Sequence, residues 1–457
     1  MKTNEFINCA DLLKGVNEKK KRLEKGNSKI INAWASYDWA NSVYPLVISS
    51  TVFPIYYSHI SQDINTIEFL GHDFKNTALI SYVTALAFVI VALNSPFLSG
   101  IADYIGNKKR FMKIFVYSGS ISCMGLYFFE LENIYIGMSF YFLALIGYWA
   151  SLVFYNSYLP DIAYPEQLDF ASARGFSMGY VGSVLLLIVN LSMVMKPDWY
   201  GIRGTPSESS LMAMKYSFVM VGVWWALFSQ YAFYHLPAGN SARKFTKDIF
   251  WNGFLELKKV WNQLYKLPIL KKFLPAFFVY STALQTVILI ATYFGEEEIM
   301  WDNSEQKTIG LIVSILLIQI VGIFGAYATA SASRKYGNIF ILVVVNFIWA
   351  GLCIFAFFIR TPVEFYTAAA GVGLVMGGIQ SLSRSTYSKL IPKTNDTTSF
   401  FSFYDVTEKV GIIIGMAIFG TIDQITGSMR NSILLFIVLF ILGALLLTRI
   451  PNNPSEK

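Results

Sequence analysis

Gly100-Ile101-Ala102-Asp103-Tyr104-Ile105-Gly106-Asn107-Lys108-Lys109-Arg110 lies between two long apolar stretches, and its order decides the fold. A glycine and, after three residues, an aspartate lead to a second glycine and then a basic cluster. A worn copy returns as Ser331-Ala332-Ser333-Arg334-Lys335-Tyr336-Gly337-Asn338, which keeps the Gly-Asn step and the positive charge but has lost the first glycine and the aspartate. Two related loops at equivalent places imply a duplicated bundle. A second echo agrees: Tyr158-Leu159-Pro160-Asp161 in one half answers Leu390-Ile391-Pro392-Lys393 in the other.

The material on either side of these loops belongs in a bilayer. Residues are 54% hydrophobic, 16% aromatic and only 14% charged, against roughly 25% charged in an ordinary soluble domain. Twelve apolar stretches recur near 31–58, 77–98, 111–130, 134–158, 174–195, 211–235, 272–294, 308–331, 338–359, 365–387, 402–424 and 431–449. As helices of about 20 residues, each crosses about 30 Å of hydrocarbon.

The formal charge of +7 is not a nucleic-acid signature, because it is distributed by loop. One side receives 19–22, Lys108, Lys109, Arg110, the run 243–272, Arg334, Lys335, Lys389 and Lys393. The other has only Lys75, Lys196, Arg203, Lys215, Lys307, Arg360 and Arg430. Basic loops stay in the cytoplasm, so both termini are expected there. The first thirty residues are too polar for a cleaved signal peptide. Cys9, Cys123 and Cys353 have neither disulfide nor metal spacing. His59, His72 and His235 are isolated, no phosphate-binding loop is present, and Glu296-Glu297-Glu298 reads as a solvated loop. Neither an enzyme nor an ATP-driven pump is expected, and no cofactor or metal.

The expected organisation is a basic segment at 1–30, a six-helix bundle at 31–236, a linker at 237–271, a second bundle at 272–449 and a tail at 450–457. Within the linker, Phe250, Phe254, Leu257, Trp261 and Leu264 recur at helical spacing among Lys247, Lys258, Lys259 and Lys266. That suits a helix lying on the membrane surface or, equally, one packed under the bundle.

The Gly100–Arg110 pattern resembles the loop signature of the major facilitator superfamily of transporters. The resemblance implies an all-α membrane protein of twelve transmembrane helices in two pseudo-symmetric six-helix bundles. Where the signature often has arginine after the aspartate, this chain has Tyr104, and the basic role passes to Lys108, Lys109 and Arg110. The first apolar stretch carries Trp34-Ala35-Ser36-Tyr37-Asp38-Trp39-Ala40-Asn41-Ser42-Val43-Tyr44, then Phe53-Pro54-Ile55-Tyr56-Tyr57. This run resembles the hallmark of the vacuolar amino-acid effluxer-like family, whose fungal members act in autophagy and whose bacterial members are largely uncharacterised. Asn156 to Asp161, Ala173-Arg174-Gly175, Gly179-Tyr180, Gln285-Thr286-Val287 and Gly377 to Ser385 agree with it. The resemblance implies a monomeric secondary transporter in a bacterial plasma membrane that exports an amino acid or similar zwitterion by rocker-switch alternating access. After Tyr280 the family usually has asparagine and aspartate; here Ser281-Thr282-Ala283 remove a polar or acidic group from the expected cavity.

Asp38 stands about two turns into the first helix, where burying a lone carboxylate costs about 2.5–3.5 kcal/mol. Three readings fit it: a site for an ammonium group, a carrier of a coupling proton or ion, or one half of a gate ion pair. A solvated residue at the helix mouth is the plain alternative. Asn41 and Tyr44 follow on nearly the same face. Arg384, one turn after Gln380, suits a carboxylate through its two-pronged donor geometry. With Asp38 it would hold the two ends of a zwitterion; its place near a loop slightly favours pairing with Asp405 or Glu408 to close a gate. Tyr155, Asn156, Tyr280, Gln285, Thr286 and Tyr293 are candidate cavity liners.

Gating is expected from a single layer of charges of both signs: Asp103, Arg110, Asp161 with Arg174, Asp405, Glu408 and Lys409. Such pairs form in one state and break in another. The family resemblance further implies that Asp103 meets the N-terminus of the eleventh helix, where the dipole favours an anion. Gly100 permits close helix approach and Gly106 the turn, while Gly175, Gly179 and Gly182 read as packing positions. The fourth helix lacks a membrane arginine, which disfavours proton coupling by that route. Two other functions share the pattern: export of amphipathic drugs, peptide fragments or lipids on the same fold, and a transporter-like receptor that moves nothing.

Overall fold

A computed structural model describes residues 25–61, 66–69, 71–239 and 249–452, with the side chains at 75–78, 249–250 and 304–305 outside the description. Cys9, the basic run 19–22, Arg243, Lys247, the Phe250 side chain and the last tail residues therefore lie outside the described residues. In chain order the helices are α1 (Ser28–Asn41), α2 (Phe53–Ile60), α3 (Asn76–Ile105), α4 (Lys108–Gly125), α5 (Ile134–Ser157), α6 (Leu168–Met195) and α7 (Pro206–His235). They continue with α8 (Ile249–Lys266), α9 (Pro268–Glu297), α10 (Ser304–Tyr336), α11 (Asn338–Phe358), α12 (Pro362–Leu390), α13 (Thr397–Thr426) and α14 (Met429–Leu447).

Eleven helices among the described residues are individually long and apolar enough to cross a membrane. The remaining crossing is built from α1, a π-helical stretch Tyr44–Val52 and α2. Pro45 and Pro54 explain its irregularity, because each lacks an amide donor and crowds the preceding turn. The backbone widens instead, and the Thr51 hydroxyl donates to the Leu46 carbonyl five residues back at 2.7 Å. The result is a twelve-crossing all-α membrane protein. The small antiparallel hairpin Thr66–Phe69 with His72–Lys75 was not legible in the sequence.

Apolar burial is divided in two. One cluster gathers buried side chains from Ile30 to Leu236, including stacked Phe53 and Tyr141 with ring centres 4.5 Å apart. The other runs from Val260 to Ile450, with Trp349 stacked on Phe440 and Phe277 on Tyr404, and also takes in Tyr180 from α6. Small residues make the seam between them: Ala173 of α6 packs on Ala326 and Ala330 of α10. Large exposed side chains such as Leu93, Leu227 and Phe324 lie on the outside, where lipid covers them.

Helix α8 crosses the basic end of the bundle, against α3 and α13. Gly100 and Gly253 make that approach possible: a Cβ on Gly100 would stand 2.3 Å from the Gly253 carbonyl oxygen. The Asn252 amide donates to the Tyr104 hydroxyl at 3.0 Å, and Lys259 pairs with Asp396 at 2.7 Å. Asp396 first and Glu256 second hold the Lys259 ammonium above the usual lysine range. Of the apolar stripe read in the linker, Leu264 is buried while Phe254 and Trp261 are exposed. The stripe straddles the edge of the contact, so one flank packs under the bundle and the other faces outward.

Candidate functional site

Opposite charges from the two halves meet at the seam. Arg384 of α12 lies 3.3 Å from Asp38 of α1, and their side chains are 5% and 8% exposed. Both terminal guanidinium nitrogens donate to Asp38 Oδ2, and the Tyr155 hydroxyl donates to the same oxygen at 2.8 Å. The remaining arginine donors are absorbed as well. Nε donates to the Ser172 hydroxyl at 2.9 Å, Nη2 to the Ser172 carbonyl at 3.0 Å and Nη1 to Asn156 Oδ1 at 3.2 Å. Trp34 and Phe176 lie against the guanidinium, with ring centres 4.7 and 4.3 Å from its carbon, so cation–π attraction adds to the charge pairing.

Space for this pair comes from Gly175. A Cβ there would lie 2.4 Å from Asp38 Oδ2 and 3.0 Å from an Arg384 nitrogen. Four helices, α1, α5, α6 and α12, therefore converge on one buried ion pair that spans the two apolar cores. A buried pair is costly to desolvate and holds only when its remaining donors are satisfied, which is the case here.

A second set of contacts closes the basic end. Asp103 accepts the backbone N–H groups of Thr398 and Ser399, at 3.3 and 2.6 Å, in the first turn of α13. Those amides have no partner within the helix and carry its positive dipole end. Lys108 donates to Asp161 at 2.5 Å, to the Ser157 carbonyl at 2.8 Å and to Thr397 at 3.0 Å, tying the first loop to the same helix start. On the other flank Lys389 pairs with Asp169 at 2.6 Å, and Asn338 and Ser333 donate to that carboxylate. An Asp103→Asn change keeps one acceptor but removes the charge, and charge-assisted bonds are roughly twice as strong as neutral ones. The expected result is a larger fraction open at the basic end, read by spin-label distances across that mouth; an unchanged distance distribution would remove Asp103 from the latch.

A third polar group sits deeper, on α13. Lys409 is fully buried and contacts Asp405 of the preceding turn, with Glu408 at 3.5 Å and the Trp149 ring centre 4.3 Å away. Gln285 of α9 donates to Glu408 at 2.7 Å.

A family model described as "Vacuole effluxer Atg22 like" matches residues 26–457. The chain belongs to that family. The uncharacterized MFS-type transporter YxiO of Bacillus subtilis is 29% identical to this Atg22-like chain over 93% of its length and 95% of the relative's. Autophagy-related protein 22-1 of Penicillium rubens is 23% identical, over 86% and 79%. Among solved structures, the transporter FucP in its outward conformation superposes with a TM-score of 0.68 at 12% identity, covering 93% of this chain and all of that one. The xylose symporter XylE reaches 0.66 at 13%, over 93% of this chain and 95% of that one. The fold is that of the major facilitator superfamily, and the Atg22-like chain is a multi-pass membrane transporter rather than an enzyme.

Several sequence expectations for this Atg22-like member need correction. Arg384 does not pair with Asp405 or Glu408; Lys409 takes both of those, and Arg384 takes Asp38. Asp38 is buried, which removes only the plain alternative of a solvated residue at the helix mouth. Asp161 pairs with Lys108 rather than Arg174, which is exposed at the surface near Arg334. The single charged layer thus resolves into separate clusters, because the helices place the charges at different depths and on different faces. Arg110 is exposed, and Lys108 fills the basic role in the loop.

Asn41 and Tyr44 point into the first core, where Tyr44 stacks on Tyr148 with ring centres 4.9 Å apart. Tyr280 hydrogen-bonds Ser383 at 2.7 Å, Thr286 bonds back to the Thr282 carbonyl at 2.7 Å, and Gln380 accepts from Tyr180 at 3.3 Å. Tyr293, a cavity liner by its sequence position, is instead 53% exposed. Gly106 has φ of 74°, as a turn of this shape requires.

Ser172, Phe176 and the Lys389–Asp169 pair had escaped sequence reading. A serine or phenylalanine in an apolar helix carries no signal of its own. Gly175 reads in the sequence as a packing residue, and the structure places it against the ion pair.

Proposed function

We propose that the chain exports an amino acid or similar zwitterion, as a monomer, and that the Asp38–Arg384 pair is where the substrate acts. The observation that carries this reading is a buried ion pair made from opposite halves. In the arrangement described above the basic end is shut. By the distribution of basic loops that end is cytoplasmic, and both termini lie there. For the transporter to open inward, the pair must part, and each charge then needs a new partner in a low-dielectric site.

A zwitterion supplies both at once: its ammonium replaces Arg384 beside Asp38, and its carboxylate replaces Asp38 beside the guanidinium fork. A ligand shifts a conformational equilibrium only by its differential affinity for the two states. A neutral solute leaves both charges bare and so cannot provide that difference here. The resulting cycle is rocker-switch alternating access, with small-residue contacts at the α6–α10 seam serving as the pivot surface.

The test is counterflow of labelled amino acids in proteoliposomes. Exchange with the wild-type chain, abolished by Asp38→Asn, is the expected result. Exchange that survives Asp38→Asn, or that occurs only with uncharged solutes, would overturn the reading.

A further inference from the structure

Two arginines from opposite halves line one cleft at the basic end. Arg174 of α6 and Arg334 of α10 border it together with Ser28 and Asn32 of α1, and its volume is about 210 Å³, several times the roughly 30 Å³ share of a water molecule. The seam itself puts them there. Ala173 packs against Ala326 and Ala330, so the residue after the first and the residue one turn beyond the last emerge at the rim of the same contact. The two guanidinium groups therefore share a cleft only while α6 and α10 are pressed together at this end.

Neither has an anionic partner. Arg334 lies over the Phe170 ring, 4.6 Å from its centre, which holds the side chain but supplies no full charge. Arg174 makes no hydrogen bond or ion pair among the described residues, and Glu166, the one carboxylate at the cleft, pairs with neither arginine. Elsewhere at the basic end closure joins opposite charges: Lys108 meets Asp161, Lys389 meets Asp169 and Lys259 meets Asp396. Here it brings two like charges to one place. The rest of the wall adds donors. The Ser28 hydroxyl and the Asn32 amide have no hydrogen bond within the described protein, and Ser28 opens α1, whose dipole favours an anion at that end. A carboxylate carries one charge and two oxygens, which a single arginine fork already uses. A phosphate monoester carries about −1.5 to −2 at neutral pH and three free oxygens, enough for two forks.

We propose that this cleft binds a phosphate group, held by Arg174 from one half and Arg334 from the other, at a site separate from the Asp38–Arg384 pair. The group belongs to a lipid headgroup or to a free phosphate compound; the recognition chemistry is the same. Because the site is complete only when the basic end is shut, its ligand favours that state. At ten times its dissociation constant it multiplies the closed-to-open ratio about tenfold. The site does not depend on which solute the transporter carries.

Binding of labelled inorganic phosphate to the purified full chain in neutral detergent, at constant ionic strength set with sodium chloride, tests this. Saturable binding is expected, weakened at least about tenfold by Arg174→Gln and equally by Arg334→Gln, as for the loss of a charge-assisted hydrogen bond. Both arginines are exposed, so neither change is expected to disturb the fold. Lys335→Gln, beside Arg334 but outside the cleft, is expected to keep the original affinity. Since one arginine comes from each half, loss in both single variants also shows that the anion spans the seam. Nanodiscs of phosphatidylcholine with and without phosphatidic acid separate the sources. Displacement of bound phosphate by the acidic lipid assigns the site to a headgroup, and undiminished phosphate binding assigns it to a soluble compound. The proposal would be overturned by the absence of saturable phosphate binding together with no thermal stabilisation by phosphatidic acid. Binding lost in only one of the two arginine variants, or weakened as much by Lys335→Gln, would overturn it as well.

Discussion

Arg384→Leu is expected to destabilise the folded transporter by about 3–5 kcal/mol, the range for removing one partner of a buried ion pair, and to abolish solute exchange. The cost arises on the side that remains. Asp38 keeps the Tyr155 hydroxyl at 2.8 Å but loses both guanidinium donors, and one charge-assisted bond, at about 1.5–3 kcal/mol, does not offset a carboxylate buried without a cation. The second substitution decides the interpretation. Asp38→Asn in the Arg384→Leu background removes the stranded charge, and replacing a whole buried pair by groups of similar volume is often neutral. The double variant is therefore expected to regain most of the lost stability while remaining inactive. Thermal unfolding of the four proteins of this cycle provides the check. Strictly additive losses would mean that the two charges do not act as a pair, and the gate argument would fail with them.

Some of this was legible in the chain and some was not, for physical reasons. Twelve crossings follow from apolar run length, and the doubled loop follows from glycine and charge spacing, because both depend on local chain chemistry. Asp38 and Arg384 were legible as residues that a membrane tolerates only with a purpose. Their partnership was not. Arg384 sits 21 residues before Asp405 in sequence and 346 residues after Asp38, and its place near a loop favoured the wrong partner. Helix rotation decides such choices: α12 turns Arg384 toward α1 and α6, while Lys409 on α13 lies on the same face as Asp405 one turn earlier and neutralises it locally. The linker helix was recognised by its period, yet period alone could not say how much of the apolar stripe packs. The contact of Gly253 with Gly100 fixes that, and two glycines 153 positions apart give no joint signal.

Gly175 provides the sharpest remaining test, because two opposing effects of known size meet there. In a helix, alanine is favoured over glycine by about 0.5–1 kcal/mol, so Gly175→Ala would stabilise an open site. The site is closed: a Cβ at Gly175 would stand 2.4 Å from Asp38 Oδ2, 3.0 Å from Arg384 and 3.2 Å from the Tyr155 hydroxyl. Relief requires the carboxylate to turn from its three donors or α6 to retreat from α1. Overpacking of this kind costs about 1–3 kcal/mol, which outweighs the propensity gain, and it falls on the ion pair itself. Gly175→Ala is expected to lower thermal stability, reduce exchange and enlarge the opened fraction at the basic end. Gly175→Val adds a branch at Cβ and is expected to do so more strongly. Gly351→Ala in α11 is the control, since a Cβ there meets nothing within 4 Å, and it is expected to be neutral or slightly stabilising. If Gly175→Ala matches that control in both stability and exchange, the close fit around Asp38 and Arg384 does not govern opening.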